Sequence, residues 1–131
     1  MLKDHNGQIS AELILLIGLV LIIVMAFASP LGKSLETNQV MAAAKTGILN
    51  ATNDLAYKNT GNIFRFNNIN FNSSTGTITA KVYSMKPNST DKDYIQSQTI
   101  NTIAETLNKP VSGNKVLGNY YNYTVNIVWV G

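Results

Sequence analysis

The stretch Gly7-Gln8-Ile9-Ser10-Ala11-Glu12, running into LILLIGLVLIIVMAFA at residues 13–28, decides how the rest of the chain is read. Sixteen consecutive residues carry no charge, and one carboxylate, Glu12, stands directly ahead of them. The run is apolar on every side, which argues against a soluble amphipathic helix. As a helix, residues 8–29 extend about 33 Å, close to a hydrocarbon thickness of about 30 Å. An ionisable group at the edge of such a span is costly and usually functional.

Three arrangements are compatible with this segment. Ala26-Phe27-Ala28 before Ser29 is an acceptable small-x-small site for removal of a secretory signal. Glu12 and the near-neutral leader, Lys3 against Asp4, fit that class poorly. An uncleaved membrane anchor explains the length but gives Glu12 no role. In the third arrangement, Gly7, Gln8, Ser10 and Glu12 resemble the class III signal peptide of archaeal type IV pilin-like prepilins. The likeness is to the methanogen form, with Gln first, Ser third and Glu fifth in the mature chain.

That resemblance implies a cut by a membrane prepilin peptidase between Gly7 and Gln8, on the cytoplasmic side. The apolar helix is then kept. It also implies an assembly ATPase, a membrane platform protein and, above all, copies of the chain itself in a filament homopolymer used for adhesion. Membrane lipid is the expected partner before assembly. The precursor belongs in the cytoplasmic membrane and the mature chain in a cell-surface filament. The alternative is a secreted or membrane-anchored extracellular binding domain that does not polymerise.

The cut gives Glu12 a role. It creates an α-amino group on Gln8, about 6 Å along the helix axis from Glu12. A neighbour displaced by that much brings its amine to this carboxylate, so Gln8 and Glu12 are the candidate register pair. Polar core positions set coiled-coil register in the same way. A simpler role for Glu12 is as a carboxylate favoured by the positive end of the helix dipole, worth about 0.3 to 1 kcal/mol.

Pro30 follows the apolar run and predicts a kink, because a proline removes a backbone donor and crowds the preceding turn. Helical pattern then resumes. Leu35, Ala42, Leu49 and Ala56, flanked by Met41, Ile48 and Leu55, form an apolar stripe, with Lys33, Glu36, Lys45 and Asp54 on other faces. Gly47 weakens the helix locally, and Asn59-Thr60-Gly61-Asn62 reads as its stop. The expected organisation is a leader at 1–7, a long helix at 8–58 (span and filament core at 8–29), and a small head at 59–131.

The head carries strand signals. Residues 68–72 alternate, Ser73-Ser74-Thr75-Gly76 is a turn cluster, and residues 77–83 form a second strand. Residues 93–107 suit a short helix, with Ile100, Ile103, Ala104 and Leu107 on one face. Residues 121–130 alternate best, with Tyr121, Tyr123, Val125, Ile127 and Trp129 on one side. The fold class is therefore α+β: a long N-terminal helix with a small antiparallel sheet of three or four strands packed on its second half, the lollipop plan of the pilin family.

Chemistry is sparse. Cysteine is absent and the one histidine, His5, falls in the predicted leader. No nucleophilic triad, zinc site or phosphate loop can be assembled, so no catalytic residue, metal or cofactor is expected. Asp91-x-Asp93 lacks the rest of a calcium loop and suits helix capping. A formal charge of +3 with scattered basic residues does not point to nucleic acid. Tyr120, Tyr121 and Tyr123 read as strand packing rather than a sugar platform. Four N-x-S/T sequons, at Asn88, Asn72, Asn122 and Asn50, are candidate glycosylation sites, about as many as this Asn-, Ser- and Thr-rich composition produces by chance. Asn88, after Pro87, is the favoured one.

Overall fold

A computed structural model describes residues 2–58 and 61–130, without the side chains of residues 2–9 and 29. Asn59 and Thr60, in the expected helix stop, lie outside the described residues. The elements in chain order are α1 (Leu2–Lys58), β1 (Phe64–Asn72), β2 (Thr77–Ser84), α2 (Ser89–Leu107), β3 (Val111–Ser112), β4 (Lys115–Leu117) and β5 (Asn122–Val130). The fold class is α+β, as expected. The chain divides into two compact units, Met1–Leu35 and Glu36–Gly131.

In the first unit α1 is helical through Pro30. That residue has no amide to offer the Ala26 carbonyl, so its turn lacks one bond of the ladder. Thirteen large apolar side chains between residues 13 and 28 are exposed, from Ile23 at 48% to Met25 at 76%. Burying a Leu, Ile or Val is worth about 1.5 to 3 kcal/mol. A helix with this much half-covered apolar surface is unstable in water unless lipid or protein surrounds it.

The second unit is a layer of two helices, residues 36–58 of α1 with α2, on one face of a five-stranded sheet ordered β1-β2-β5-β4-β3. The sheet is mixed rather than wholly antiparallel: β5 runs parallel to β2, pairing Thr77 with Thr124 through Tyr83 with Val130. A parallel neighbour needs a crossover, and α2 supplies it. The β1–β2 hairpin turns at Gly76, where φ is +73° and a Cβ would lie 2.8 Å from the Asn122 carbonyl oxygen. Only glycine suits both conditions. Asn62 ties the hairpin's open end. Its Oδ1 accepts from the Lys86 and Ile63 amides at 2.9 Å and the Ser84 hydroxyl at 3.2 Å.

Helix α2 starts four residues earlier than expected, because Asn88 is its N-cap. Asn88 Oδ1 accepts from the Asp91 amide at 2.8 Å, and its Nδ2 donates to Asp91 Oδ2 at 2.8 Å. Asp91 is thus the reciprocal partner of the cap rather than the cap itself. Gln96 Nε2 donates to the Val125 carbonyl at 2.7 Å, covering β5 beyond the end of β4.

The buried face of α1 differs in phase from the expected stripe. Val40, Ala43, Ala44, Ile48, Ala51 and Leu55 are buried, whereas Leu35 and Leu49 are 63% and 38% exposed. A strict seven-residue repeat drifts about 20° per heptad around a straight helix. The true contact surface also uses small residues. At Gly47 a Cβ would stand 2.9 Å from the Thr99 Cα of α2, so this glycine permits the helices to meet.

Candidate assembly segment and the Glu36 clasp

Glu12 lies on the exposed part of α1 and has no partner among the described residues. The side chain of Gln8 lies outside the described residues, as does any side-chain detail at the Gly7-Gln8 junction. The described residues show a solvent-facing carboxylate at the head of an uncharged, exposed apolar run. Among the described residues, α1 is the one helix long and apolar enough to cross a membrane.

The second polar feature of α1 sits where the compact head begins. Glu36, expected on a face other than the apolar stripe, is 7% exposed. Its Oε1 accepts from the Tyr123 hydroxyl at 3.0 Å and from the Asn119 amide at 3.1 Å. Its Oε2 is buried with no hydrogen-bond partner among the described residues. Burial, then the Glu36 carboxylate, pushes the Tyr123 hydroxyl well above its ordinary titration range, so it stays a donor. Gly118 makes room, since a Cβ there would collide with Glu36 Oε1 and lie 2.6 Å from Tyr123 Cε2. The clasp ties α1 to the β4–β5 connection and β5, across more than eighty residues of sequence.

A third group ties the helices at the surface. Tyr94 of α2 donates to Asp54 of α1, and Lys58 Nζ lies 3.1 Å from the same carboxylate oxygen. The Tyr94 bond, then Lys58, lowers the Asp54 pKa. The adjoining groove, about 240 Å³ and lined by Gly47, Asn50, Asp54, Tyr94, Gln98 and Thr102 among others, is shallow and holds no nucleophile–base pair. Among the described residues no cluster of His, Cys, Asp or Glu can hold a metal ion.

The sequons differ in setting. Asn50, Asn72, Asn88 and Asn122 are all exposed. The Asn88 carboxamide is engaged in the α2 cap, whereas Asn72 uses only its Oδ1, accepting from the Ser74 amide at 2.9 Å. Tyr121 and Tyr123 pack against Phe71, with ring centroids 5.2 and 6.0 Å away. Tyr120 is 40% exposed.

Comparison with known proteins identifies the N-terminal segment. The family described as Class III signal peptide matches residues 6–31. No curated protein matches the chain. No solved structure matches it either. The matched residues span the Gly7-Gln8 junction, Glu12, the apolar run and Pro30. This segment implies processing by a prepilin peptidase and handling by pilus assembly machinery, and with the apolar helix it fits a membrane-anchored precursor. A Class III signal peptide at residues 6–31 supports reading the chain as a type IV pilin-like prepilin.

Proposed function

We propose that this chain is the structural subunit of an archaeal type IV-like pilus, cut after Gly7 and polymerised through residues 8–28 into a surface filament for adhesion. The observation that carries the reading is the coincidence of the signal-peptide match with an exposed apolar helix headed by an exposed carboxylate, Glu12. In the bilayer that carboxylate reaches the interface. In a helical bundle it needs a cation, and the amine created on Gln8 is the one that cleavage supplies. Assembly exchanges lipid contacts for helix contacts, so packing and this polar pair decide it more than hydrophobicity does. Pro30 is the proposed bend between the filament core and the head.

The partners this requires are a prepilin peptidase, an assembly ATPase, a platform protein and further copies of the chain. The test is to shear filaments from cells producing the chain and identify the pelleted protein by mass spectrometry. The chain is expected as the main filament protein. Recovery only from the membrane, or as a monomer in the medium, contradicts the proposal.

A further inference from the structure

The sheet has one face on the helices and one face open. Row by row across β1, β2 and β5, the open face presents Asn72, Thr77 and Thr124, then Asn70, Thr79 and Asn126, then Asn68, Lys81 and Val128, then Arg65, Tyr83 and Val130. The hydrogen bond from Thr124 Oγ1 to Thr77 Oγ1, 3.1 Å, shows that these side chains share a side. All are exposed or half-buried. Lys115 of β4 pairs with Thr124 and extends the first row.

The head's carboxylates are segregated, whereas its lysines occur both on the open face and, as Lys92 and Lys109, on and beside α2. The carboxylates after residue 58 are Asp91, Asp93 and Glu105, and all three lie on α2, behind the sheet. The open face carries Arg65, Lys81 and Lys115 and no acid. Arg65 lies over the Tyr83 ring, 6.0 Å from its centroid. From Thr77 to Tyr83 this surface is about 20 Å long, at about 3.3 Å per residue.

We propose that this open face is a docking platform for an acidic polysaccharide. The inference rests on the surface location proposed above. Carboxamides and hydroxyls both donate and accept, which matches a polymer of sugar hydroxyls. The three cations, without a competing carboxylate, match the acid groups of some of its rings. Duplex DNA fits less well. It carries one charge per about 1.7 Å, so a duplex of this length holds about a dozen phosphates, of which those turned to the surface still outnumber its three cations.

The test uses the unprocessed full chain, made in a bacterial host and purified in detergent, so that neither leader cleavage nor filament assembly affects the result. Binding is measured to immobilised polygalacturonate, to uncharged dextran and to duplex DNA. Binding to polygalacturonate is expected, weakened by salt, with R65A/K81A lowering affinity about tenfold, or about 1.4 kcal/mol. A control pair on and beside α2, K92A/K109A, is expected to leave it within about twofold. Arg65 and Lys81 are exposed, so an unchanged melting curve verifies that the variant folds. The proposal is overturned by equal binding to dextran, tighter binding to DNA, no binding, or indifference to R65A/K81A.

Discussion

Replacing Glu36 with alanine tests the clasp that joins α1 to the sheet. The change removes the acceptor of two hydrogen bonds, from the Tyr123 hydroxyl at 3.0 Å and the Asn119 amide at 3.1 Å. Tyr123 is fully buried, so its hydroxyl loses its carboxylate acceptor and keeps only the Thr37 hydroxyl beside it, at a cost of about 1 to 3 kcal/mol. The void adds to this. One effect opposes it, because the carboxylate's partnerless Oε2 no longer has to be desolvated. The expected net loss is about 2 to 4 kcal/mol. For a domain of this size that lowers the melting temperature by about 10 °C or more. Glu36→Gln keeps an acceptor and should lose less, about 1 kcal/mol. The assay is thermal unfolding of the full chain in detergent, followed by fluorescence of Trp129, which packs near Phe64 at 6.3 Å. A double-mutant cycle with Tyr123→Phe should show coupling of about 1 kcal/mol or more. An E36A protein within about 0.5 kcal/mol of the parent, or an additive cycle, refutes the reasoning.

Two further outcomes follow from the structure and a third from the proposed assembly. Gly47→Ala should destabilise by about 1 to 3 kcal/mol in the same melt, because crowding at Thr99 and Thr102 outweighs the helix-propensity gain of about 1 kcal/mol. The Asp54 pKa is held below its ordinary 3.8 in the folded state. Its stabilising contribution is therefore complete above that value and is lost as pH falls below it, and Tyr94→Phe should flatten that acid limb in a pH series of melts. Glu12→Gln should be cleaved normally yet fail to enter filaments, so that the processed form accumulates in the membrane fraction of an immunoblot; normal assembly would remove Glu12 from the register role.

What was legible in the sequence had local causes. The apolar run announces itself by length, the β1–β2 hairpin by alternation around a glycine turn, and β5 by its alternating Tyr123, Val125 and Ile127. The start of α2 was also local, since Asn88-Ser89-Thr90-Asp91 has capping-box spacing. Gly113-Asn114 between Ser112 and Lys115 is a two-residue hairpin signal that marks β3 and β4. Both were readable and are easily overlooked in short polar stretches. The parallel pairing of β2 with β5 depends on where α2 returns the chain. Glu36 shows the limit most clearly. A glutamate in a helix reads as solvent-facing, and only Tyr123 and Asn119, distant in sequence, make it a buried acceptor. Glu12 stands out in the sequence for the opposite reason, as a charge placed where a span makes charge costly, and its role in assembly is a proposal.

In the proposed assembly, the cut between Gly7 and Gln8 retains the apolar helix and creates the cation for Glu12. The most direct measurement is the N-terminal sequence and intact mass of the mature chain isolated from cells. A chain beginning at Gln8 is expected. A start at Ser29, which discards the helix, or at Met1 or Leu2, which leaves it uncut, contradicts it.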